Sequence, residues 1–269
     1  MKDAKFYHYN GLSEFARGCQ ARKHCVDDKD RTRWAGGSRE DALRWCKTGD
    51  TSKVAEAERL LERLDTEVDS NAVRPMWTPS VVGNFPLVPA YLAGTPEAML
   101  ARTDVPDARG EIEIWANTTV SCSCNAHDMM RRGVVTMAFA MALSRARNVT
   151  LVLYGTVDGS NVAIRLASPL DVSEVCAAFC QPSITRQLIY GHATADGYSG
   201  RWAAWAEVNN RRNGNGAAIE RKALMDYAGM PADAVRLGTE KLGSYARVTD
   251  DELVEILNGK LKEVAGKTE

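Results

Sequence analysis

The chain has 269 residues, of which 45% are hydrophobic and 26% charged, and its formal net charge is -1. Those values exclude global disorder and a whole-molecule basic field, and they leave room for a locally basic groove. The opening residues MKDAKFYHYN lack the apolar run of a secretory signal, and GVVTMAFAMAL is too short to span a bilayer, so a soluble, cytoplasmic protein is expected.

Residues 1–50 are mixed in character. Ser38 followed by Asp41 marks a helix start before REDALRWC, and Trp34 and Trp45 flank the Gly36-Gly37 turn. From residue 53 to 68 an amphipathic helix is expected, with Ala57, Leu60, Leu61, Leu64 and Val68 on one face. Pro75, Pro79, Pro86, Pro89, Pro96 and Pro106 then break the chain into irregular stretches or short strands. This segment is too apolar for a solvated linker. It is expected to pack across the main domain, with TPEAML starting a short helix at Pro96.

Residues 111–166 carry the main architectural signal. EIEIWANTTVS alternates like a strand, CSCNAHD is a turn, and DMMRRGVVTMAFAMALSRARN reads as a long helix that is apolar on most faces. VTLVLYGTV and NVAIRLAS read as two further strands about the Asp158-Gly159 turn. The succession predicts a βαβ unit and a mixed central sheet flanked by helices, an α/β fold. DVSEVCAAFCQ reads as a helix, SITRQLIYGHA as a helix or a strand, and YSGRWAAWAEVNN and AAIERKALMDYAG as helices separated by NGNG. A capping box at Thr249 and Glu252 opens the last helix. The expected organisation is an N-terminal helical region at 1–70, an α/β core at 71–170, and a helical extension with the C-terminal helix at 171–269, forming one compact unit.

The seven cysteines are odd in number and irregular in spacing, which predicts reduced, partly buried thiols. Cys19, His24 and Cys25 lie close together, but no second ligand pair follows at zinc-finger spacing. No P-loop, G-x-G-x-x-G after a strand, nucleophile elbow or H-E-x-x-H occurs, so the chain is expected to be non-enzymatic and to need no cofactor.

Two stretches carry binding chemistry. Arg186, Tyr190, Arg201, Trp202, Trp205, Arg211 and Arg212 combine cations with aromatic rings. A single-strand binder needs both, one to follow phosphates and the other to stack bases. The alternative for Trp202 and Trp205, one helical turn apart, is a place in the core. Arg131 and Arg132 add two cations at a helix start, where the backbone is already partly positive. A bound anion or a salt bridge to a distant acid would relieve that conflict.

The second stretch is Asn117, Thr119 and Ser121, spaced by two. It resembles a degraded Asp-x-Ser-x-Ser turn of von Willebrand A-type domains, in which a strand, this turn, a long helix and a second buried strand follow one another. The resemblance implies a Mg²⁺ site held by Thr119 and Ser121, with Asp158 as a further oxygen donor. Asn117 stands where the family has Asp, and a hard cation wants a carboxylate.

Taken together, WAGGSREDALRWCKTGD, LVPAYLAGTPEAML, MMRRGVVTMAFAMALSRARNVTLVLYG and LASPLDVSEVCAAFCQPSITRQLIYG resemble a family of uncharacterised proteins carried by tailed bacteriophages. A looser similarity links the chain to phage single-stranded-DNA-binding cofactors of RNA polymerase. These resemblances imply a phage accessory protein that binds single-stranded DNA in an infected bacterium and assists phage transcription or replication, alongside phage RNA polymerase or replication proteins. The alternative they imply is a von Willebrand A-like protein-interaction module used in phage assembly or host takeover.

Overall fold

A computed structural model describes residues 5–21, 31–64, 73–106, 111–119, 124–145, 147–157, 160–195, 229–237 and 248–266. In chain order the elements are β1 (Lys5–Asn10), α1 (Leu12–Gln20), α2 (Arg31–Ala35), α3 (Arg39–Thr48) and α4 (Val54–Leu61). There follow β2 (Val73–Ser80), β3 (Phe85–Pro86), α5 (Val88–Leu92), β4 (Met99–Pro106), β5 (Ile112–Asn117) and α6 (Ala126–Ser144). The rest are β6 (Val149–Val157), β7 (Ser160–Leu166), α7 (Val172–Cys180), a π-helix (Ile184–Ile189), α8 (Tyr190–Ala195), β8 (Val235–Leu237) and α9 (Asp250–Gly266).

The fold is α/β, with two sheets. The larger has five strands in the order β1-β7-β6-β5-β8. β5 is parallel to both β6 and β8, β7 is antiparallel to β6, and β1 runs parallel to β7. The expected βαβ unit is β5, α6 and β6, and the expected hairpin is β6 and β7, so the sheet is mixed. Period-two alternation sorts its residues. Ile112, Ile114 and Ala116 of β5, Leu151 and Leu153 of β6, and Val162 and Ile164 of β7 all face the main core. Trp115, Val152, Tyr154 and Ala163 face the other side, where Met230 and Ala234 join them.

Helices cover the first face. α6 is buried on most sides, as a helix apolar all round must be, and it packs against α4, α7 and α9. Gly133 permits the closest of these crossings: a Cβ there would lie 2.1 Å from the Phe179 carbonyl oxygen of α7. The helix starts are set as their sequences predict. Ser38 and Asp41 form a capping box at α3, Asp171 caps α7 through the Ser173 and Glu174 amides, and Thr249 and Glu252 cap α9 reciprocally.

Three sequence expectations need correction. The region 1–70 is not wholly helical, because Lys5–Asn10 is an edge strand whose Tyr7 and Tyr9 pack on the main core. Among its described residues, the proline-rich segment packs chiefly on itself rather than across the main domain. It forms a separate three-stranded antiparallel sheet, β2-β4-β3, whose principal contacts are among its own strands, and it leaves Val81, Val82, Phe85, Val88, Tyr91 and Leu92 exposed. Pro75 and Pro79 sit in β2, at the edge of that sheet, where proline is tolerated. Pro96 starts no helix: α5 lies upstream at Val88–Leu92, and the chain enters β4 at Met99.

Candidate functional site

In an open α/β sheet, ligands bind beyond the carboxyl ends of the strands where the strand order reverses. Here that point is the end of β5. The chain leaves β5, crosses through α6 to β6 on one side, and later supplies β8 on the other. The turn after β5 is tightly held. The Thr118 amide donates to the Tyr154 carbonyl at 2.9 Å, and the Thr119 amide donates to Asn117 Oδ1 at 2.8 Å, an Asx turn. Asn117, Thr118 and Thr119 are all buried. Asn125 Oδ1 then accepts from the Asp128 amide at 2.8 Å and caps α6.

Between this turn and α6 lies a cavity of about 20 Å³, lined in part by Asn117, Thr118, Arg132, Thr136 and Thr185. It has room for one water. Among the described residues, its lining includes a guanidinium and no carboxylate. On the other face of the sheet the Tyr154 hydroxyl is buried, and burial pushes its pKa up while the Arg236 and Arg132 guanidinium groups pull it the other way. Arg132 and Arg236 are each partly exposed. The two arginines therefore lend positive potential to the carboxyl end of the sheet. At the amino end, Glu111 and Glu113 pair with Arg165, and Glu113 accepts from Trp115 Nε1 at 2.9 Å.

Arg186 was expected on a phosphate path, and the structure gives it another place. Its side chain is 4% exposed, its guanidinium donates to the Trp34 and Cys124 carbonyls, and it stacks over the Trp34 ring at 4.2 Å. A cation this buried is committed to those carbonyls and that ring. It ties the π-helix to the segment before α3 and to the start of α6, and Gln187 adds a bond to the Gly37 carbonyl at 3.3 Å. Tyr190 is half-buried, with its ring 6.1 Å from that of Trp34. Arg186 and Tyr190 thus meet at Trp34, close behind the β5–α6 turn. Three of the stretches read as family-like, around Trp34, Arg132 and Arg186, converge on this one place.

Arg131 takes the salt bridge: it donates to the Val248 carbonyl at 2.7 Å and to Asp250 Oδ1 at 2.8 Å. Arg201, Trp202, Trp205, Arg211 and Arg212, and also Ser121 and Asp158, lie outside the described residues. Arg236 went unremarked in the sequence, because a three-residue strand carries no periodic signal of its own.

The described residues of the turn do not suit Mg²⁺. Asn117 offers a neutral oxygen already engaged by the Thr119 amide, and Arg132 lines the same cavity. Among the described residues, no group of three or more His, Cys, Asp or Glu side chains would hold a metal. Cys46, Cys124, Cys176 and Cys180 are free thiols. Burial, with Cys19 and Glu174 nearby, pushes the Cys46 pKa up to about 12, and Cys180 is raised by its hydrogen bond with Cys176 and by burial, so both stay protonated and inert.

No curated protein and no solved structure matches the chain. A family model does match, over residues 3–234, and on that match the chain belongs to the family described as a domain of unknown function, DUF7192.

Proposed function

We propose that this chain is a non-enzymatic phage protein that binds single-stranded DNA at the carboxyl end of its central sheet and assists phage transcription or replication. The observation that carries the reading is that Arg132 and Arg236, both partly exposed, act on Tyr154 near the strand-order reversal, with no carboxylate among the described residues that line the cavity. Partly exposed guanidinium groups suit phosphate oxygens, and the polar Asn117–Thr119 turn adds neutral hydrogen-bonding groups. Arg201, Trp202, Trp205, Arg211 and Arg212 would extend the path with further cations and stacking rings. Arg186 serves this site as a positioning residue, because it holds the Cys124 carbonyl at the start of α6.

The test is a fluorescence-anisotropy titration of labelled oligo-dT at two salt concentrations, with duplex DNA of equal length beside it. Salt-sensitive binding to the single strand is expected. The double variant Arg132→Gln, Arg236→Gln should bind more than tenfold more weakly and lose about 0.7 of salt slope for each phosphate contact removed. No binding of oligo-dT at low salt overturns the reading.

A second reading rests on the succession β5, turn, α6, β6, which follows that of von Willebrand A-type domains. It makes the Asn117–Thr119 turn a protein-docking surface. Partner binding that Ser121→Ala weakens, whether or not Mg²⁺ is present, would favour it.

A further inference from the structure

The three-stranded arm presents its apolar residues to solvent. Val81, Val82, Phe85, Val88, Tyr91 and Leu92 are 55–79% exposed, and these are the large hydrophobic residues that stand out among the described ones. They fall within one compact tip. The Asn84 amide donates to the Leu100 carbonyl at 2.7 Å, the Leu87 amide to the Ala98 carbonyl at 2.8 Å, and Phe85 pairs with Leu100. On α5, Val88, Tyr91 and Leu92 are spaced by three and four, so they share one face. That stripe would ordinarily turn inward. Here it faces out.

We propose that this tip is the interface of a two-fold dimer, its occupant the same tip of a second copy. Charge supports a self-complementary match. From Ser80 to Ala101 the only ionisable acid or base besides Tyr91 is Glu97, so two copies meet without like-charge repulsion and with the charge-poor centre that interface cores have. Area supports it too. The six residues expose several hundred Å² per copy, more than the few hundred that monomers ordinarily leave open, and a two-fold doubles this toward the about 1,200 Å² at which specific interfaces begin. The edges disfavour growth by strand addition. β2 carries Pro75 and Pro79, and β3 carries Pro86, so proline interrupts the run of donors on each edge of the small sheet. Contact is left to the side chains of the tip.

The experiment is sedimentation equilibrium from low micromolar to about 100 μM protein, on the full chain and on the double variant Val82→Asp, Leu92→Asp. Both positions are more than three-quarters exposed, so the variant should keep its far-ultraviolet circular dichroism and melting temperature. The expected result is twice the 29.5 kDa chain mass for the parent and a single chain mass for the variant. A parent that stays monomeric at every concentration overturns the proposal. So does a variant that dimerises as the parent does. A monomeric parent that co-floats with phosphatidylcholine–phosphatidylglycerol vesicles overturns it in favour of a lipid surface. None of these readings depends on oligonucleotide binding.

Discussion

In the five-stranded sheet, Leu151 and Leu153 of β6 are buried, with α6 and the π-helix packed on that strand, and even the second face buries Trp115 and Tyr154. In the three-stranded arm, Val82 and Leu92 stand in solvent although they are as apolar as anything in the core. These side chains differ in the partners they find, not in their apolarity. The large sheet has helices on hand that must also bury a stripe, whereas the arm has one five-residue helix that turns its stripe outward. Burial therefore holds the sheet together within one chain. The arm, on the reading above, completes its burial between chains.

The comparison breaks most visibly in a matched pair of truncations. Leu153 is fully buried within the main core, so Leu153→Ala removes contacts and leaves a cavity, at about 2–5 kcal/mol. Leu92→Ala removes the same atoms from a solvent-facing position and should stay within about 0.5 kcal/mol for the monomer. Urea denaturation at low protein concentration measures both. A Leu92→Ala loss near that of Leu153→Ala would mean that the tip is buried in the monomer.

Glycines sharpen the contrast by one step. Gly133 is glycine because of space: its added Cβ meets the Phe179 backbone, which no rotamer change can relieve. Gly133→Ala should cost about 1–3 kcal/mol by forcing α6 and α7 apart. Gly94 of the arm has nothing within 4 Å of an added Cβ, but its φ is +69°. Gly94→Ala should therefore cost only the left-handed strain, about 1 kcal/mol. Thermal melts of the two variants should fall in that order, and equal losses would remove the distinction between crowding and backbone strain.

How far the sequence revealed this follows the same division. β5, α6, β6 and β7 were legible because alternation and helical period persist over six to nineteen residues, and because buried strands read as apolar runs. Ser38 and Thr249 marked true helix starts or stood beside them, since capping is local chemistry. The arm was misread because apolarity normally means burial, and Val82 and Leu92 break that rule. β1 was missed, since its place depends on pairing with β7, more than 150 residues away in the chain. At the candidate site the Asn117 turn was legible from spacing. Arg186 was not, because a basic residue beside an aromatic one reads alike whether the pair faces solvent or is folded under Trp34.

The smallest effect tests how the two regions fix their helix starts. α7 of the main core is capped by Asp171, whose carboxylate is held below its usual range first by the Ser173 hydroxyl and then by the Glu174 amide. α5 of the arm has no side-chain cap, only a proline in its first turn. Asp171→Ala should cost about 1 kcal/mol near neutral pH. Because the native pKa is depressed, that contribution is present above the unfolded value of about 3.9 and is lost as pH falls through the lower native one. The gap in melting temperature between parent and Asp171→Ala should thus be constant well above the unfolded value and close progressively as pH falls below it. A gap that persists in acid would assign the cap to the neutral side chain, with its charge contributing nothing.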